Sequence, residues 1–429
     1  MVALLFGAIA AGLILTVPIA VTLALSSALA LIVFYPGSPL FSMLSQNMVI
    51  TADSFSLMAI PFFMLCGELM GKTDIANRLV RVGEAVIGSV AGGLGMAAIV
   101  ACVLFAAISG SGPATVAAIG AIMIPAMSKR GYSADYTAAL VAGGSTIGPV
   151  IPPSIPMIVY GATVGVSVIG MFTAGIVPGI IMGVALMFYN YFVSKKRGYL
   201  GMPREGGFLW VLKQCWDAKW ALLMPIIVLG GIYGGFFTPT ESAVVGCVYA
   251  ILVGLFVTKD LNWKVFTECL EEAAILSAIV MIVLGGANTF GRLLTIERIP
   301  EMITAWMLGV TQSPLGIMLI CMGILLIGGM FMDTISNIVL LAPLLVPIIK
   351  NVGWDPMFFG VVMTINLCIG FLTPPLGVNL FVAQGIAGVS FEAIVKQVVP
   401  IIIVLCLVLL LFILVPEIVM FLPRLLGMA

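Results

Sequence analysis

Four short segments rich in glycine, proline and polar side chains interrupt otherwise apolar sequence, and they hold most of the chemistry available to the chain. They are SGSGPAT (109–115), GSTIGPVIPPS (144–154), GGMFMDTISN (328–337) and NLCIGFLTPPLGVN (366–379). In the first, Gly110 and Gly112 free the backbone, Ser109 and Ser111 add hydroxyl oxygens, and Pro113 opens a following half-helix, where its missing N–H costs nothing. Carbonyl and hydroxyl oxygens so gathered suit a hard monovalent cation. A tight helix-packing turn would use the same small residues, so that reading stands beside it. The third segment carries Asp333 inside apolar sequence. Intramembrane carboxylates face a partner, a cavity or an ion. Asp333 can also cap the half-helix that follows, with Thr334 beside it, and the two roles are compatible.

The second and fourth segments supply opposite walls: Ser145, Thr146, Gly148 and Ser154 from one, Asn366, Gly370, Thr373 and Asn379 from the other. Their paired prolines (Pro152 with Pro153, Pro374 with Pro375) remove N–H donors and expose carbonyls that need other partners, unless they only kink packed helices. Helix N-termini after each break would turn positive dipole ends inward and favour an anionic substrate. The candidate cation ligands are Ser109, Gly110, Ser111, Gly112, Thr115, Gly148, Val150, Gly329, Asp333, Thr334, Gly370 and Thr373, and the candidate substrate contacts are Ser154, Asn337 and Asn379. Glu241, in GGFFTPTESAVVG, is a further acid in apolar sequence, where Thr238 or Thr240 could cap a helix.

The elements that must position these residues follow from an internal duplication. A shift of 222 lays Gly148 on Gly370, Pro152 and Pro153 on Pro374 and Pro375, Pro125 on Pro347, and Gly131 with Tyr132 on Gly353 with Trp354. If three residues are absorbed, Gly110 and Thr115 fall on Gly329 and Thr334; farther upstream, Pro18 falls on Pro239. The first repeat is expected over 1–194 and the second over 220–429, joined by a polar linker at 195–219. Each holds a re-entrant hairpin (about 92–127 and 314–349) and a broken span (about 134–165 and 356–386). The other spans expected in the first repeat are 1–15, 18–34, 51–70 and 168–192, although 1–34 could instead be one kinked helix. That gives five crossings, and an odd number inverts the second copy. Fourteen of the eighteen Lys and Arg residues, Arg204 among them, then fall on the cytoplasmic side, leaving Arg292, Arg298, Lys350 and Arg424 outside. Segments 72–87 and 292–308 mix charged with apolar residues at helical spacing and are expected to lie in the interface.

Composition agrees with this layout. Of 429 residues 62% are hydrophobic and 8% charged, against about 25% charged in soluble domains. The apolar start, Met1–Ala11, has no basic stretch before it and is expected to be a retained span. With no histidine, imidazole relays and Ser/His/Asp triads are excluded; with no GxxxxGK[ST] loop, so is P-loop ATP binding. The eight cysteines form no CxxC pair, and the basic residues form no stripe for nucleic acid. The expected class is an all-α integral membrane transporter with inverted repeats, not an enzyme.

Together SGSGPAT, GPVIPPS, GGFFTPTESAVVG and TPPLGVN resemble the large membrane subunit of tripartite ATP-independent periplasmic (TRAP) transporters, over essentially the whole chain. The resemblance implies sodium-driven uptake, across the bacterial inner membrane, of an organic acid of the C4-dicarboxylate or sialic acid class. It also implies delivery by a periplasmic substrate-binding protein and a separate small four-helix membrane subunit. By the same resemblance, hairpins and broken helices form an elevator-type transport domain carrying the sodium sites, and the remaining spans form a scaffold in the lipid. A stand-alone sodium:dicarboxylate symporter is the alternative, and a channel the next.

Overall fold

The computed structural model describes residues 1–38, 40, 42–201 and 207–428, and every regular element among them is a helix. The chain begins with α1 (Val2–Ile14) and α2 (Ile19–Phe34), which pack side by side. Region 1–34 is therefore two helices and not one kinked helix. Pro18 offers no N–H, and Thr16 takes a left-handed φ of 56°, so the chain turns back between them.

The span expected at 51–70 is divided. Thr51 falls in the last turn of α3 (Ser42–Ala52), a helix the apolar pattern did not signal, and α4 (Ala59–Gly71) starts only after the turns around Asp53 and Ser54. At a shift of 221, Ala274 and Ile275 replace those two polar residues, and there the second repeat runs one unbroken 34-residue helix, α14 (Trp263–Ile296). In the first repeat the Ser54 N–H bonds back to the Thr51 carbonyl and the Leu57 N–H to that of Ser54, so turns replace the helix where short polar residues stand in place of Ala and Ile.

After α4 comes α5 (Ile75–Ile87), the amphipathic segment expected near 72–87. The first hairpin is α6 (Gly93–Ser109) with α7 (Gly112–Lys129), and the first broken span is α8 (Ala134–Ser145) with α9 (Ile155–Val164). Next, α10 (Val168–Arg197) carries the chain past the expected repeat boundary at 194. The linker is not simply polar coil: α11 (Phe208–Asp217) fills its second half and meets α12 (Lys219–Tyr233) at 67°. Arg204 lies outside the described residues.

The second repeat continues with α13 (Pro239–Leu252), prolonged by a π-helical turn over Val253–Thr258, then α14 (Trp263–Ile296) and α15 (Ile299–Val310). Arg292 belongs to α14, so the amphipathic counterpart of α5 is shorter than expected. The second hairpin is α16 (Pro314–Phe331) with α17 (Thr334–Asn351), and the second broken span is α18 (Pro356–Gly370) with α19 (Val378–Ala387). α20 (Phe391–Leu414) and the amphipathic α21 (Glu417–Leu425) complete the chain.

Equivalent positions take equivalent backbone. Gly131 and Gly353 both turn at φ +86°, and the peptides before Pro153 and Pro375 are both cis. The hairpins correct one sequence register. The caps of α7 and α17 are Ser111 and Asp333, 222 apart, so the shift of 222 runs unbroken through the tip and no residues are absorbed there. Ser111 and Asp333 are the true counterparts.

The 30-residue α10, about 45 Å long at 1.5 Å per residue, runs between the bases of the two hairpins. At its C-terminal end Asn190 Nδ2 donates to the Gly92 carbonyl (2.8 Å), at the base of the first hairpin. At its N-terminal end Gly170 packs on Met357 of α18. One turn away Trp354 Nε1 donates to the Pro314 carbonyl (3.1 Å), at the base of the second hairpin. The two hairpins therefore enter from opposite ends. Each broken span reaches across to the other repeat: α19 packs on α7 and α8, and α9 on α17.

This arrangement predicts a topology readout. With the half-buried Cys215 and Cys406 replaced, single cysteines at Lys129 and Lys196 should react with an impermeant thiol reagent only from the cytoplasmic side, and one at Lys350 only from the periplasm. Labelling of positions 129 and 350 from the same side would sink the opposed-hairpin arrangement.

Candidate functional site

Both hairpin tips and both helix breaks border one cavity of about 1200 Å³. The first hairpin contributes Ser109, Gly110, Ser111 and Gly112, the second Asp333 and Thr334, the first break Pro149, and the second Phe371. The facing wall comes from α4 and α14, through Gly67, Glu68, Glu272 and Leu276. Apolar sequence makes the helices long, and polar residues at the tips stop them in the interior, where the N-termini of α7, α9 and α17 open toward this space. Partial positive charge at three helix starts favours an anion there.

At the first tip Gly110 adopts φ +60° and closes α6, while Ser111 caps α7 by accepting from Ala114 N. Thr115 Oγ1 donates to the Ser111 carbonyl (2.7 Å) and lies 3.2 Å from Ser109 Oγ. The tip seats against the first break: a Cβ on Gly110 would collide with the Pro153 carbonyl oxygen, and one on Gly148 would stand 2.7 Å from that of Ser111. Carbonyls of Ser111 and Pro153 and hydroxyls of Ser109 and Thr115 thus come together, all neutral oxygens. Val150 is not brought to them, since its carbonyl lies against Gly175 of α10.

The second tip places a charge in the equivalent position. Asp333 Oδ2 accepts from the N–H groups of Ile335 (3.0 Å) and Ser336 (3.1 Å), and Oδ1 from the Ser336 hydroxyl, so the carboxylate is a complete N-cap that also faces the cavity. Gly329 packs on the second break, with a Cβ on Gly370 only 2.7 Å from the Gly329 carbonyl oxygen. Thr373 Oγ1 donates back to the Ile369 carbonyl (3.0 Å) and is not part of the cavity wall.

The three candidate substrate contacts are fully buried behind the wall and not on it. Ser154 caps α9 and donates to the Pro149 carbonyl. Asn337 Nδ2 donates to the carbonyls of Gly328, Met332 and Asp333, holding the second tip closed, and Asn379 Nδ2 reaches the Ala142 carbonyl at 3.3 Å. What remains unused is oxygen: Asn337 Oδ1, Asn379 Oδ1, Asn366 Oδ1 and Thr334 Oγ1 are buried without a hydrogen-bond partner. Asn379 Oδ1 stands 3.2 Å from where a Gly112 Cβ would be, beside the first tip. Buried unpaired acceptors are costly. Among the described residues no three His, Cys, Asp or Glu side chains cluster as a multivalent-metal site would require. Neutral oxygens with one carboxylate fit a monovalent hard cation.

Glu241 lies elsewhere. It forms a capping box with Thr238, donating its N–H to Thr238 Oγ1 (3.2 Å) and accepting from Thr238 N (2.8 Å), and it is exposed away from the cavity. Glu68, Lys72 and Glu272, none of them among the candidate site residues of the sequence, stand on the cavity wall. Lys72 Nζ pairs with Glu272 at 2.9 Å and lies 3.8 Å from Glu268. Their signal was present as charges at the end of one apolar helix and near the start of another.

The chain matches the family model "Tripartite ATP-independent periplasmic transporter, DctM component" over residues 6–418, and it belongs to that family of multi-pass bacterial inner-membrane permeases. It is 46% identical to the isethionate TRAP transporter permease protein DctMQ of Oleidesulfovibrio alaskensis over 97% of this chain, which spans 65% of that longer relative. It is 40% identical to the C4-dicarboxylate large permease DctM of Pseudomonas aeruginosa, over 95% of both chains. It is 36% identical to the sialic acid large permease SiaM of Vibrio cholerae, over 89% of both. The fold also resembles the Alcanivorax borkumensis YdaH transporter, with a TM-score of 0.64 over 87% of each chain at 12% identity.

Proposed function

We propose that this chain is the membrane permease of a sodium-coupled importer for an organic acid anion, receiving its substrate from a periplasmic binding protein and working with a small membrane subunit. The observation that carries the reading is the meeting of two opposed hairpin tips and two helix breaks at one cavity, with helix N-termini aimed into it and buried oxygens left unpaired beside it. One sodium ion would sit among Ser109, Ser111, Thr115, Gly148 and the Pro153 carbonyl. A second would sit by Asp333, Thr334, Gly329 and Gly370, where the carboxylate offsets its charge. The anion would bind in the cavity between them, attracted by the ions and the helix ends. Lys72 is the sole Lys or Arg on the described wall, and its partner Glu272 leaves it little net charge to offer.

Transport would follow an elevator motion in which the hairpins and broken spans move against the remaining spans, α4 and α14 among them, with α5 and α15 as the connecting arms. Isethionate, C4-dicarboxylate and sialic acid are named for relatives. All three are acid anions that a cavity of about 1200 Å³ would admit, so the substrate is proposed at the level of that class.

The test is uptake by the purified chain in liposomes, with and without sodium, the small subunit and candidate binding proteins. Uptake should need all three. Ser109→Ala should raise the sodium concentration for half-maximal uptake about fivefold, the worth of one ordinary hydrogen-bonding ligand of roughly 1 kcal/mol, while Ser111→Ala, which keeps the Ser111 carbonyl and removes only the α7 cap, should shift it less; both should leave affinity for the binding protein unchanged. Uptake without any binding protein would instead identify a stand-alone symporter, and flux indifferent to sodium would overturn the coupling.

A further inference from the structure

We propose that a small cavity between α5 and α11 binds the headgroup of a zwitterionic phospholipid of the phosphatidylethanolamine type. The cavity holds about 250 Å³ and is lined by Asp74, Arg78, Arg81, Gln214, Asp217 and Ala218. Arg78 already has partners: Nε donates to Asp74 Oδ2 (3.2 Å), and a terminal nitrogen donates to the Asp217 backbone carbonyl (3.0 Å), tying the two helices together. Arg81, three residues on along α5, is exposed and forms no hydrogen bond or ion pair with the described residues. Among the described residues nothing claims its planar fork of donors, and that fork matches a phosphate bidentately. Asp217 lines the same space, and its carboxylate would receive a primary ammonium there. Two Asp and two Arg leave the lining neutral overall, which disfavours a free multivalent anion and suits a headgroup carrying both charges.

The depth of the cavity points to the same ligand. Leu209, Leu212 and Trp216 fall at i, i+3 and i+7 on the outer face of α11 and are 79%, 56% and 67% exposed. Lys219 Nζ sits 4.0 Å from the centre of the Trp216 ring and 5.7 Å from that of Trp220. Tryptophan and lysine together mark headgroup level. The 67° bend lets α11 lie along the membrane surface while α12 crosses it. The cavity therefore opens where phosphates lie, beside apolar side chains that acyl chains would cover.

Native mass spectrometry of the purified full chain in detergent, offered phosphatidylethanolamine, phosphatidylcholine, phosphatidylglycerol or inorganic phosphate, tests this without reference to transport. The wild-type chain should retain phosphatidylethanolamine in preference to the other two lipids. Arg81→Gln should cut that retention roughly tenfold, as expected for one charge-assisted contact, with unchanged melting in lipid-free detergent because no protein contact is removed. Asp217→Asn should erase the preference for the primary amine over the choline headgroup. Equal retention by Arg81→Gln, equal retention of phosphatidylglycerol by the wild-type chain, or displacement of the lipid by millimolar phosphate would each overturn the proposal.

Discussion

Asp333→Asn should fold, reach the membrane in normal amount and transport poorly. The carboxylate does two things at once in this structure: it caps α17 through the Ile335 and Ser336 N–H groups, and it faces the cavity. Asparagine keeps the capping oxygen, since Asn and Asp are comparable caps, but it removes the charge that would hold a cation. Loss of a charged ligand is worth about 1.5–3 kcal/mol, or roughly ten- to a hundredfold in apparent sodium affinity. Uptake should therefore collapse at low sodium and recover in part at high sodium. Asp333→Ala should lose the cap as well, at about 1 kcal/mol, and melt earlier. An Asn variant with wild-type uptake across the sodium range would leave Asp333 as a capping residue only and remove the second proposed site.

The other large effect is expected at the first tip, where Gly110→Ala should all but abolish uptake. Gly110 holds a φ of +60°, which costs an L-residue about 1–2 kcal/mol, and the added methyl would also meet the Pro153 carbonyl. Gly353→Ala is the matched control. Its φ of +86° imposes similar strain, but nothing lies within 4 Å of the new Cβ, so it should cost stability and spare transport. The comparison separates backbone strain, which both variants share, from loss of the seat between tip and break, which only one suffers. Similar uptake by the two variants, at matched amounts in the membrane, would show that the seat is not needed.

The register of the repeats changes how the two tips compare. With Ser111 and Asp333 as counterparts, the same half-helix cap is neutral in one repeat and anionic in the other. Two sites of related shape and different charge would answer differently to sodium, with the Asp333 side the stronger attractor. In the proposed first site, backbone carbonyls would add to the Ser109 and Thr115 hydroxyls ligands that no side-chain substitution removes. That is why the larger effect there is expected from Gly110, whose change displaces the tip, and the smaller from the serine hydroxyls.

The sequence by itself determined the class of protein, the duplication, the existence of both hairpins and both breaks, and the residues at their tips. Each of these depends on local chemistry: apolar runs that cannot be hidden in water, prolines without N–H, and glycines that end helices. Helix α3, the break around Asp53 and the helix α11 escaped it, because a few polar residues redirect short stretches without disturbing the average hydropathy. Only the tertiary structure decided which candidates meet. Ser111 and Asp333 are 222 residues apart and reach one cavity because α10 sets the hairpin bases at opposite ends of the molecule. Ser154, Asn337 and Asn379, which look like substrate ligands as polar residues near breaks, lie behind the wall because backbone carbonyls freed by the prolines and tips claim their donors. Lys72 and Glu272, 200 residues apart, became neighbours only when α4 packed on α14. Spacing along a chain fixes which face of a helix a residue occupies, but partners from distant helices are chosen by packing, and a single sequence carries no record of that choice.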